Sequence, residues 1–166
     1  MADEQTSTTA GAEGWTRSIL VPTDFSKASE LALHAAAQLA RQNGARVTLV
    51  HVHDPSWAAW RPIAYPTEVQ PEAPPSEPEL EQRIHEKLRE LCERVFEGVP
   101  CKTAVVLCAN AAQGITDYAE KEDVDLIVIS THGRSGLAGL LIGSVAERVV
   151  RHAPCPVLTL RSKAKD

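Results

Sequence analysis

Five short apolar runs, at residues 18–21, 47–52, 103–108, 126–129 and 157–160, are separated by segments whose apolar residues return every three or four positions. Runs of four to six apolar residues are the length of buried strands, and the intervening period is that of amphipathic helices. Leu31, Ala35, Leu39 and Ala40 mark the first helix, begun by a cap at Ser26 and stopped at Gly44. Leu80, Ile84, Leu88, Leu91 and Val95 mark the second, ended by Gly98, and Ile115, Tyr118 and Ala119 the third. The fourth runs from about Ser144 to His152, where Pro154 and Pro156 break it. Strands that alternate with helices and are apolar on both faces predict an α/β fold: a single doubly wound, five-stranded parallel sheet with helices on both faces. Only 4% of the residues are aromatic, which favours this aliphatic layering over a β-sandwich. At 166 residues the chain is long enough for one such core.

Residues 1–14 and 162–166 read as tails around a domain at 15–161. Inside that domain, residues 54–78 hold seven of the eleven prolines, with Trp57, Trp60 and Tyr65, and read as an insertion. A net charge of −5 with only Arg148, Arg151 and His152 as a modest basic face argues against nucleic acid as partner. No eighteen-residue apolar stretch predicts a membrane span, and the acidic, polar start does not resemble a secretory signal. The expected location is cytoplasmic, with Cys92, Cys101, Cys108 and Cys155 as reduced thiols that serve as small core residues.

Ligands of open α/β sheets lie beyond the C-terminal strand ends, which directs attention to three junctions: Pro22-Thr23-Asp24, Val52-His53-Asp54 and the loop from Ser130 to Ser144. The third loop carries Gly133, Gly136, Gly139 and Gly143 before a helix start, with Ser144 as its cap. Glycines let backbone N–H groups approach phosphate oxygens, and a helix N-terminus adds a favourable dipole. It is neither a Walker A loop nor G-x-G-x-x-G. On the residues alone, a plain flexible connection explains it equally well.

The stretches Val21-Pro22-Thr23-Asp24-Phe25-Ser26, Ser130-Thr131-His132-Gly133-Arg134-Ser135-Gly136-Leu137, Ile142 to Val149 and His152 to Val157 together resemble the universal stress protein family, over roughly residues 15 to 161. The resemblance implies ATP carried with magnesium or manganese, little or no turnover, and a homodimer through the last strand, Val157 to Leu160. The family's ATP-binding loop, G-x2-G-x9-G-(S/T), maps onto Gly133, Gly143 and Ser144, with Ser130 where the first glycine stands. Nucleotide contacts carry over to Pro22, Thr23, Asp24 and Val52 on the adenosine side, and to Ser130, His132, Gly133, Arg134, Gly143, Ser144 and Val145 on the phosphate side. Ala109 and Ala111 stand where family members often have Gly and Pro.

Three other readings remain. His51, His53 and Asp54 alternate along a strand in a way that suits a metal, but lack a third distant ligand cluster. Arg134 and His132 would serve a slow ATPase, for which no orienting carboxylate is evident, so no catalytic residue is assigned. A branch of the same family binds no nucleotide and acts as a dimeric interaction module, with the Trp-bearing insertion recruiting an unidentified protein partner.

Overall fold

The computed structural model describes residues 15–56, 77–131 and 142–161. The two tails, residues 57–76 of the insertion, and His132, Gly133 and Arg134 lie outside the described residues.

The described chain runs β1 (Ser18–Pro22), α1 (Glu30–Asn43), β2 (Arg46–His53), α2 (Glu77–Val95), β3 (Cys101–Leu107), α3 (Ala111–Lys121), β4 (Leu126–Ser130), α4 (Ser144–His152) and β5 (Val157–Leu160). The strands form one parallel sheet in the order β3-β2-β1-β4-β5. Alternation along the central strand divides the core. Ile19 and Val21 face a layer containing Ala32, Leu33, Ala36 and Ala40 of α1 with Ile84, Leu88 and Val95 of α2. Leu20 faces the other layer, with Ala112, Ile115 and Ala119 of α3 and Ala146 and Val149 of α4. All three strand residues are fully buried, and each such side chain contributes about 1.5–3 kcal/mol by leaving water. Helices therefore cover both faces, as the sequence pattern predicts. No described helix is long and apolar enough to cross a membrane.

Local expectations needed three corrections. Helix α1 starts at Glu30 rather than Lys27, because Ser26 begins a separate turn: its carbonyl accepts from the Ser29 hydroxyl at 2.7 Å. The edge strands are only half-buried, with exposed positions such as Leu107 and Leu158, since each has a neighbour on one side alone. Finally, Cys92 and Cys101 are disulfide-bonded and not reduced. Gly98, at φ 74°, turns the chain between α2 and β3 so sharply that the two Cα atoms lie 6.0 Å apart, within bridging reach. Cys108 and Cys155 are free.

Candidate functional site

Strands β1 and β4 are neighbours in the sheet, yet the chain leaves β1 toward β2 and leaves β4 toward β5. Their C-terminal ends diverge there and open a crevice, as expected at a switch in strand order. A cleft of about 280 Å³ occupies it. Pro22, Thr23 and Asp24 form one wall, Val52 of β2 the floor, Ser130 the end of β4, and Gly143, Ser144 and Val145 the start of α4. Eight of the eleven residues singled out from the sequence thus meet around one cavity.

The first wall is held by short polar contacts. The Thr23 N–H donates to the Val50 carbonyl (2.9 Å), and the Thr23 and Ser29 hydroxyls lie 3.0 Å apart. The Phe25 N–H donates to Thr23 Oγ1 (3.1 Å), and the Ser26 N–H to Asp24 Oδ1 (3.0 Å). These bonds keep Phe25 at φ 62°, a left-handed conformation costly for a bulky residue. His51 Nδ1 sits 2.8 Å from the Thr23 carbonyl, which makes it the protonated nitrogen. Its ring packs on Phe25 with centroids 4.7 Å apart. His51 thus buttresses the turn. Among the described residues, no group of three or more His, Cys, Asp or Glu side chains is arranged to hold a metal.

The opposite wall begins at Gly143, whose N–H donates to the Thr131 carbonyl at 2.6 Å and whose extended backbone caps α4. The helix cap is therefore Gly143, and Ser144 is the first helical residue. At this position its hydroxyl and the unsatisfied N–H groups of the first turn share one end of the cleft. Ala111 and Ile115 from α3, with Ile129, complete an apolar side.

Several lining residues escaped the sequence reading. Ser29 was hidden by the misplaced start of α1. Ile115 is one turn after Ala111, and that spacing alone places it on the same face. Thr131, Ile129 and Ala146 carried no signal beyond adjacency to Ser130 and Ser144.

The cleft lining thus combines apolar side chains, Val52, Ala111, Ile115 and Ile129, with the hydroxyl-bearing Ser130, Thr131 and Ser144 and the N-terminus of α4. A flat apolar ring suits the first, and an oxyanion the second.

Known proteins resemble this chain over most of its length. Residues 16–161 match the model of the universal stress protein family. Universal stress protein MJ0531 of Methanocaldococcus jannaschii is 34% identical over 151 residues, covering 90% of this chain and 85% of that protein. The structure of hypothetical protein MJ0577 of the same organism superposes with a TM-score of 0.73 at 27% identity, covering 91% of this chain and 99% of the other. A universal stress protein solved in complex with cAMP superposes with a TM-score of 0.62 at 22% identity, covering 89% and 98% of the two chains. That last likeness is one of fold.

Proposed function

Because this chain belongs to the universal stress protein family, we propose that it is a nucleotide-responsive regulatory protein of the cytoplasm that holds ATP in the β1/β4 cleft without dedicated turnover. The observation that carries this reading is the mixed lining, an apolar set that offers a slot beside Val52 and a hydroxyl-bearing set with the first turn of α4. Adenine fits the slot, where Ala111 and Ile115 would flank it. The phosphates fit the other set, where the backbone N–H groups of Ser144 and Val145 and the hydroxyls of Ser130 and Ser144 would bind oxygens. Asp24 stands on the adenosine side, at the turn that Thr23 fixes. Ser130 in place of a glycine offers one more hydroxyl at the phosphate end. Magnesium or manganese would arrive on the phosphates and neutralise their charge. The fold itself accommodates an adenine nucleotide in the relative solved with cAMP.

Dimerisation through β5 belongs to the same reading. Pro156 and Leu160 give their carbonyls to β4 (from Ile127 N–H and Thr131 N–H), so the intervening Val157 and Thr159 turn their backbone groups to the outer edge. That edge is available to a second copy.

Native mass spectrometry with ATP and magnesium tests the proposal. The expected species is a dimer with one nucleotide per chain, and Ser144→Asp, which sets a carboxylate at the helix start, weakens binding about tenfold or more. A wild-type protein that stays empty at millimolar ATP refutes it and favours the interaction module.

A further inference from the structure

We propose that the Cys92–Cys101 bond is a reversible thiol–disulfide exchange site, a redox modification independent of nucleotide, which clamps the last turn of α2 to the first residue of β3. The pair closes a connection of nine positions at the sheet edge farthest from β5. Both sulfur-bearing residues are half-buried, while Glu93, Arg94, Glu97, Pro100 and Lys102 around them are exposed, so a small thiol reaches the bond without unfolding the core. The core does not need the clamp. Phe96 and Val99 are buried within the same corner, and the Arg41 guanidinium donates to the carbonyls of Val95 (3.2 Å) and Glu97 (3.3 Å), holding it non-covalently. A bond that closes a corner already secured, in a chain large enough to fold without staples, is positioned for exchange more than for structural support.

The exchange is with a low-molecular-weight thiol, RSH. A thiolate RS⁻ attacks one cysteine sulfur, the S–S bond breaks, and the released cysteine thiolate takes a proton. A second RS⁻ attacks the mixed disulfide, forming RSSR and releasing the other cysteine. In sum, one protein disulfide and two RSH become two protein thiols and one RSSR, and the reverse reaction oxidises the pair. Cys101 lies at the N-terminal end of β3, opposite the strand ends that form the cleft. The clamp therefore sets the stability of the α2–β3 corner and leaves the nucleotide cleft intact.

The test is to equilibrate the full chain in glutathione buffers from fully oxidised to fully reduced, trap thiols with iodoacetamide, and count adducts by intact mass and peptide mapping. The expected result is two adducts, on Cys108 and Cys155, in oxidising buffer, and four in reducing buffer with circular dichroism unchanged. Reduction lowers Tm by about 5–10 °C, as loss of a loop of this length should. It also speeds hydrogen exchange in residues 92–103, and Cys92→Ser shows the reduced Tm in both buffers. Four adducts in every buffer overturn the proposal, because the pair then never bonds. Two adducts in fully reducing buffer also overturn it, because the bond is then a structural one.

Discussion

A methyl group placed on Gly114 would lie 2.9 Å from Val52 Cγ1, 3.2 Å from its Cγ2 and 3.1 Å from Cys108 Cβ. These are contacts with a short, stiff β-branched side chain and with a Cβ, neither of which moves cheaply. Gly114 therefore fixes how closely α3 lies on β2, and Val52 is the cleft floor. In the helix interior alanine gains about 1 kcal/mol over glycine, whereas overpacking costs about 1–3 kcal/mol. Gly114→Ala is accordingly expected to be destabilised by about 1 kcal/mol in urea unfolding. It also loses nucleotide affinity, and Val52→Ala in the same chain restores stability. If Gly114→Ala is as stable as the parent, α3 has room to withdraw and the close approach is not a constraint. Burial raises the Cys155 thiol above its ordinary value, which favours its less reactive, protonated form.

The elements meet at few polar points, and one of them ties α3 to β3. Lys102 Nζ and Glu122 Oε2 are 2.7 Å apart, joining the start of β3 to the cap of α3. The bond to Lys102 holds the Glu122 carboxyl below its ordinary value of 4.5, and the same bond raises Lys102 above 10.5. A lowered carboxyl pKa contributes stability that is present above the unfolded value and is lost as pH falls through the folded one. A raised amine pKa contributes stability that is present below its unfolded value and is lost as pH rises through the folded one. The pair thus acts across the neutral range. Glu122→Gln is expected to melt slightly below the parent at pH 7 and to converge with it as the pH falls below 4.5 and through the lowered carboxyl value, as followed by thermal melts in acid. Curves that stay parallel into acid would show that the pair contributes nothing.

At this scale most of the architecture was legible. Buried central strands have to be apolar on both faces, so residues 18–21 and 126–129 declared themselves, and α4 was found from Ser144 to His152 because glycine and proline bound it. The start of α1 was not legible, because Ser26 begins a turn with the same residue type that caps a helix. The cysteine pairing was hidden for a different reason. Nine positions in sequence say nothing of a corner whose geometry depends on Gly98 and on α2 packing against the sheet. Of the cleft, the motif-bearing walls were readable, whereas Ile129 and Thr131 acquire their place only from the sheet order.

Across the whole molecule, the outer edge of β5 is where the proposed dimer would form. The backbone groups of Thr159 point away from β4, so Thr159→Pro removes one edge donor without breaking the internal ladder. The expected outcome is a monomer by analytical ultracentrifugation that still binds ATP, with Tm close to that of the dimer extrapolated to low concentration. A variant that remains dimeric places the interface elsewhere.

The strand order β3-β2-β1-β4-β5 has a consequence for biosynthesis. The ribosome delivers β1, β2 and β3 first, and these neighbours can assemble with α1 and α2 over one face while the other face of β1 waits. The cleft needs β4 and the start of α4, which emerge only in the last third of the chain. A nascent or prematurely ended molecule thus carries half a core and no complete cleft, so stabilisation by the proposed nucleotide would be reserved for finished copies.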